Sequence, residues 1–169
     1  MKYAYGITSF EVGDINPADG TLLNPVDVTK GIYKDTIEVN EPEGTETEHY
    51  VEGSKDPIVS VDEAGKTTLS CSFADTSAAN KLSFMGGDVV TLNTVDTWNS
   101  PSDNVVIEKY IKITTKDGTV LQYPRVKVRG RLTGNISEKG ILLMLVKMTV
   151  LAPNFPALKS VMASDPATA

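Results

Sequence analysis

Two residues of this sequence carry side chains suited to nucleophilic or general-base chemistry, the single cysteine Cys71 and the single histidine His49. A reactive thiolate needs a nearby cation that lowers its pKa, and the segment around Cys71, TLSCSFADT, contains none. Apolar and polar residues alternate from 67 to 73, which predicts a half-buried strand with Cys71 on its apolar face. We therefore predict a protonated core thiol that packs as a small apolar side chain.

His49 lies in a second predicted strand, residues 45–52. Alternation places its imidazole on the face opposite Glu46, Glu48 and Glu52, so it is badly placed to share a metal ion with those carboxylates. The sequence has no second histidine that would complete a transition-metal site. We predict a surface or packed histidine rather than a metal ligand or a base.

The remaining sequence gives no catalytic, cofactor-binding or metal-binding residues. None of the motifs GxxxxGKS/T, GxGxxG, GxSxG, HExxH or CxxC occurs. The acidic segment lacks the alternating Asp/Asn spacing with glycine that makes a loop converge on a calcium ion. We predict that the protein is not an enzyme and uses no cofactor or small-molecule substrate. The open alternative is a pair of carboxylates that only folding brings together.

Length and composition favour one soluble domain. With 169 residues, a net charge of −6 and one cysteine, the chain can bury a core but cannot form an internal disulfide. The N-terminal stretch MKYAYGITSFEVGD lacks the apolar run of an export signal. Residues 141–151, the longest apolar stretch, are interrupted by Lys147 and too short for a membrane span of about 20 residues. We expect a cytoplasmic product with no membrane partner, and the acidic charge argues against nucleic acid as its main partner.

Charge is distributed unevenly along the chain. Residues 35–63 contain ten acidic residues and one lysine, whereas residues 109–147 contain nine basic and two acidic residues. The two patches either meet within one fold or join one copy of the chain to the next. For the second case, the predicted subunit interface consists of Glu46, Glu48, Glu52, Arg125, Lys127, Arg129 and Arg131.

Most of the chain has strand patterning. Residues 105–115 and 119–132 flank Asp117-Gly118, which predicts a hairpin, and Pro124 indicates an edge or a bulge in its second arm. Val120, Val126 and Val128 are predicted to share one face of that arm, while the other face carries a basic row, Arg125, Lys127, Arg129 and Arg131. Residues 36–39 and 45–52 are predicted to pair through the turn NEPEG. Residues 141–151, apolar on both faces in their first half, predict a strand covered on both sides, with a core helix of the same length as the alternative.

One segment, residues 75–85, is predicted to be helical. Asp75 is a favourable N-cap because its carboxylate can accept hydrogen bonds from the first turn. Gly86 and Gly87 supply the left-handed residues that end a helix. The fold class predicted is mainly β, an antiparallel β-sandwich or barrel with this one short flanking α-helix. Residues 1–151 form the predicted domain, and residues 152–169 a C-terminal extended arm or disordered tail.

The single tryptophan, Trp98, lies in a predicted loop, NTVDTWNSPSDN. It would either anchor a partner or cover the core, and we prefer the second interpretation because a lone indole makes a poor stacking platform.

The order of parts in residues 42–89, PEGTETEHYVEGSKDPIVSVDEAGKTTLSCSFADTSAANKLSFMGGDV, resembles that of a known family. The family is the tail tube (major tail) proteins of long-tailed bacteriophages and prophages, which are related to the tube proteins of contractile injection and type VI secretion systems. In it, an acidic loop and a strand with Gly-x-x-x-Pro precede a long strand, a polar residue that caps one short helix, and Gly-Gly. The matching positions here are Gly53 with Pro57, residues 67–73, Asp75, and Gly86-Gly87.

The resemblance implies a tail-tube-like β-sandwich or barrel whose copies assemble into rings, hexameric in that family, that stack into a conduit for DNA. The expected partners are other copies of the chain and other tail proteins, with DNA only as passing cargo. The expected location is the virion tail, assembled in the bacterial host cytoplasm. The alternatives are a carbohydrate-binding or adhesin-type β-sandwich module, a tail terminator and a capsid decoration protein.

Overall fold

The computed structural model describes residues 3–166. Its elements, in chain order, are β1 (Ile7–Ile15), β2 (Leu22–Asp27), a 3-10 turn (Thr29–Gly31), β3 (Glu38–Asn40), β4 (Thr45–His49), β5 (Val59–Glu63), β6 (Thr68–Phe73), α1 (Ala78–Met85), β7 (Asp88–Leu92), β8 (Val95–Asn99), β9 (Ile107–Thr115), β10 (Val120–Ser137), β11 (Gly140–Val150) and β12 (Met162–Ser164). The predicted mainly β fold with one short α-helix is therefore confirmed over these residues.

One curled, antiparallel sheet organises the molecule as a half-barrel. Its strand order is β2-β1-β9-β10-β11-β6-β3, and β12 adds to the early part of β10. Two further hairpins, β4–β5 and β7–β8, form separate two-stranded sheets. Only the large sheet therefore has enough strands to support a hydrophobic core.

The core lies on one face of the large sheet. Alternation along β6 sends Leu69, Cys71 and Phe73 into it, and all three side chains are fully buried, as their pattern predicted. Helix α1 contributes Phe84, whose ring stacks on that of Phe73 with 4.8 Å between the centroids. The opposite face of the sheet carries the charged and polar side chains.

The β9–β10 hairpin is confirmed, and Pro124 marks a bulge. Gly118 takes a positive φ of 87° in the turn, and the register shifts between Tyr123 and Val126. Because the bulge inserts an extra residue, the side chains that follow it change face. The predicted shared face of Val120 and Val126 is therefore wrong, since Val120 lies opposite Thr114 on the polar face while Val126 is in the core.

Two other strand predictions are wrong, one of them in part. β3 pairs with β6, and β4 pairs with β5, so the two segments that flank NEPEG do not pair with each other. The prediction that β11 is covered on both faces is wrong in part, because Met144, Val146 and Met148 on one face are buried, whereas on the other face Leu143 and Leu145 are only half-buried and Ile141 is 48% exposed.

The helix begins later than predicted. Its N-cap residue is Ser77, not Asp75. Asp75 Oδ1 instead accepts the hydrogen bond of the Ser77 backbone N–H at 3.0 Å, in a turn before the helix. The predicted end is confirmed, because Gly86 is the C-cap and both Gly86 and Gly87 have positive φ, 76° and 90°.

The segment after Leu151 packs against the large sheet and returns to the first residues of β10. Arg125 Nη1 donates to the Ala152 carbonyl oxygen at 3.2 Å and to Asn154 Oδ1 at 2.7 Å. Residues 162–164 then pair with residues 120–122 of β10. The described part of the predicted arm is thus packed on the domain, and its last residues, 167–169, lie outside the described residues.

Candidate interaction surfaces

The two residues with catalytic potential lie in opposite environments, one in the core and one on the surface. Cys71 is fully buried, and burial raises the pKa of its thiol to about 12. His49 lies at the exposed end of β4. Within residues 3–166, no three His, Cys, Asp or Glu side chains are grouped closely enough to hold a metal ion, and no helix is long and apolar enough to cross a membrane.

The most acidic surface is a protruding ribbon, residues 41–64, which we call the acidic hairpin. It contains β4, β5 and their flanks, every residue in it is exposed, and it has eight acidic residues against one lysine. Among the residues that the structure describes, its strands pair only with each other. A two-stranded hairpin without further packing is marginally stable in water, so a partner that covers it would stabilise it.

The two faces of the acidic hairpin differ. On one face, Glu46 lies directly opposite Asp62, and Glu48 lies opposite Ser60. The Ser60 hydroxyl donates to Glu46 Oε1 at 2.6 Å, and the Tyr50 hydroxyl donates to Glu48. The other face carries Thr47, His49, Val59 and Val61, and both valines are about half exposed. Glu52 lies in the connection between the strands, outside either face of the ladder.

A basic surface lies on the polar face of the large sheet, and we call it the basic cleft. It consists of Lys66, Lys127, Arg129, Arg131 and Lys147. Two adjoining cavities border these cations, one of about 620 Å³ and one of about 510 Å³ that is also lined by Phe84 and Met85 of α1. Arg129 lies directly opposite Lys147 in the β10–β11 ladder. Lys127 and Arg131 lie two residues to either side of Arg129 and share its face.

The cations of the basic cleft have no ion-pair partner among residues 3–166. Asp103 lines the 510 Å³ cavity but lies beyond ion-pair distance. Like charges directly opposite each other on neighbouring strands destabilise a sheet. Glu108, the one carboxylate in the described part of the chain that lies directly opposite a cleft cation, Lys127, is already paired with Arg125. The basic cleft therefore carries an excess of positive charge.

Arg125 was predicted to belong to the subunit interface, but in the structure its side chain is hydrogen-bonded within its own chain. Its Nε and Nη2 atoms donate to the two carboxylate oxygens of Glu108, both at 2.8 Å, while its Nη1 holds the C-terminal arm. The hydrogen bond from Arg125 lowers the pKa of the Glu108 carboxyl, and the charges of Arg125 and Lys127 add to that effect. Arg125 thus acts within its own chain.

Two further hairpins expose apolar side chains. The β10–β11 ribbon projects with residues 131–139 all exposed, and Ile136 at its tip is 82% exposed. The β7–β8 hairpin exposes Leu92 and Val95 at its turn. Trp98 of that hairpin is half-buried, and its Nε1–H donates to the Gly86 carbonyl oxygen at 2.8 Å, so it packs against the end of α1.

Sequence reasoning missed three members of these surfaces, Lys66, Lys147 and Asp62. Alternation along β11 places Met148 on the core face and Lys147 on the polar face, so the sequence pattern alone could have identified Lys147. Membership of Lys66 and Asp62 depends on which strands pair, which the sequence alone does not reveal.

The chain was compared with known proteins. No family model matches it, and no curated protein matches it.

Proposed function

We propose that this protein is a virion structural subunit that assembles into rings, and that the rings stack into a phage tail tube through which DNA passes. The observation that carries the proposal is the set of three protruding β-hairpins, β4–β5, β7–β8 and the distal part of β10–β11. Each exposes apolar side chains that no other part of the described chain covers. Ribbons of this kind would be stabilised by contact with further copies.

Three other features support the proposal. The mainly β fold with one flanking helix is the fold that the resemblance implies. Opposite charges on the acidic hairpin and the basic cleft suit head-to-tail contacts, which can form closed rings or open stacks. Cys71 and His49, the residues with catalytic potential, are respectively buried and isolated on a hairpin. On this proposal the partners are other copies and other tail proteins, the location is the virion tail, and DNA is cargo.

Size-exclusion chromatography with light scattering and negative-stain electron microscopy of the purified protein test this function. We expect rings at low concentration and tubes as the concentration rises. A protein that stays monomeric over the whole accessible concentration range contradicts the proposal. A monomer that binds glycans in an array screen supports the carbohydrate-binding alternative instead.

A further inference from the structure

We infer that the acidic face of the acidic hairpin of one copy docks into the basic cleft of a second copy. The inference rests on the proposed self-assembly and names the surfaces that would join the copies. The acidic face consists of Glu46, Glu48 and Asp62, and the central cations of the cleft are Lys127, Arg129 and Lys147.

Both surfaces contain the same unfavourable arrangement with opposite sign. Glu46 and Asp62 are directly opposite on neighbouring strands, as are Arg129 and Lys147. Directly opposite side chains have their Cβ atoms about 5 Å apart, so each pair repels within its own chain. Docking places each repelling pair next to its counterpart and adds opposite-charge contacts that offset both repulsions.

The spacing of the charges also matches. Glu46 and Glu48 lie two residues apart on β4, and Lys127 and Arg129 lie two residues apart on β10. Both separations are roughly 7 Å, because each strand rises about 3.4 Å per residue. A hairpin that lies along β10 can therefore place successive carboxylates against successive cations.

Open space adjoins the cations of the basic cleft. The cavities of the basic cleft measure about 510 and 620 Å³ and share Arg129 and Lys147. The acidic hairpin protrudes from its own domain with every residue exposed, so its acidic face can approach a neighbour. Arg125 takes no part, because Glu108 and the C-terminal arm occupy its guanidinium.

The test is a charge swap in the full-length protein, with assembly followed by sedimentation and electron microscopy. One variant reverses the hairpin with Glu46→Lys, Glu48→Lys and Asp62→Lys. A second reverses the cleft with Lys127→Glu, Arg129→Glu and Lys147→Glu. A third combines all six changes. The matched control, Glu43→Lys, Asp56→Lys and Glu63→Lys, changes the net charge of the acidic hairpin equally but spares its acidic face.

Each single-surface variant should raise the concentration needed for half-maximal assembly by more than about tenfold, because like charges then meet across the interface. The combined variant should restore assembly, and the control should assemble like the wild type. Circular dichroism checks that every variant is folded.

The outcomes separate this inference from the proposed function. Normal assembly of the wild type and both single-surface variants overturns the docking and leaves the tube function standing. Failure of the combined variant to recover, or an equal loss in the control, also overturns it. If the cleft variant assembles normally but loses binding of duplex DNA in fluorescence anisotropy, the cleft binds phosphate and the inference is wrong. A wild-type protein that never assembles contradicts both proposals.

Discussion

Arg125 holds three groups at once, namely the Glu108 carboxylate, the Ala152 carbonyl oxygen and the Asn154 side chain. Bidentate pairing of this kind fixes the guanidinium in one orientation. The pair therefore joins β9 and β10 to the start of the C-terminal arm. These contacts explain why Arg125, although it belongs to the basic row of β10, stabilises its own chain.

Glu108→Gln should lower the free energy of unfolding by roughly 1 kcal/mol at pH 7, because a partly exposed ion pair contributes about that much. Arg125 lowers the pKa of Glu108 from its ordinary 4.5. The contribution is therefore fully present above that ordinary value and is lost as the pH falls through the lowered value. Urea unfolding from pH 7 to pH 2 should show the wild type and the variant converging in acid. Glu138→Gln, at the exposed tip of β10–β11, is the control and should change nothing. A difference that persists unchanged at pH 2 would argue against the ion pair as its source.

Cys71 should be inert in the folded protein. Its side chain is fully buried among the core residues, and burial raises its pKa to about 12. A thiol reagent applied at pH 8 should therefore label the native protein only as fast as it unfolds, and label the guanidinium-denatured protein at once. Rapid labelling under native conditions would mean that β6 opens locally far more often than a core strand should.

Helix α1 ends in contact with the β7–β8 hairpin. Trp98 donates to the carbonyl oxygen of Gly86, and Lys81 Nζ lies 5.7 Å from the centre of the indole ring. The last carbonyl groups of a helix have no hydrogen-bond donor within the helix. The indole N–H supplies a donor to one of them. The contact attaches the hairpin to the domain.

Trp98→Phe keeps an aromatic ring and removes this donor together with the pyrrole part of the indole. The free energy of unfolding should fall by about 1 kcal/mol, as measured by urea denaturation followed by circular dichroism. Thr97→Val, on the exposed face of the same strand, should stay within about 0.5 kcal/mol of the wild type. Equal losses in the two variants would show that the hydrogen bond contributes no specific stability.

Local patterns predicted the elements better than their partners. The alternation of Leu69, Cys71 and Phe73, the end of α1 at Gly86 and the bulge at Pro124 depend on neighbouring residues, and each is confirmed. Strand pairing depends on residues far apart in the chain. Local patterns therefore did not show that β3 joins β6, or how β4 and β5 meet.

The candidate surfaces show the same limit. Alternation correctly placed Lys127 and Arg129 on one face, but the basic cleft exists because β11 brings Lys147 opposite Arg129. The partnership of Arg125 with Glu108 likewise required the β9–β10 register around the bulge. A sequence therefore reveals which charges are available more readily than which of them are already paired.

At the scale of the whole molecule, the acidic hairpin is attached to the domain but contributes nothing to its core. No residue of 41–64 belongs to the buried cluster. Its two ends also lie close together, since a Cβ added to Gly44 would come within 2.3 Å of the Glu63 carbonyl oxygen. A two-residue Asn-Gly turn can therefore join residues 44 and 64 directly.

Replacing residues 45–63 with Asn-Gly should leave a folded domain that no longer assembles. Because the excised residues are all exposed, we expect the free energy of unfolding to change by less than about 1 kcal/mol. Loss of the acidic face should leave the basic cleft without its partner, so light scattering should show a smaller species than the wild type at equal concentration. A matched control keeps the whole hairpin and carries Glu43→Gln, Asp56→Asn and Glu63→Gln, which lie outside its acidic face, and it should assemble like the wild type. If the variant that lacks residues 45–63 still forms rings or tubes, the acidic hairpin does not join the copies.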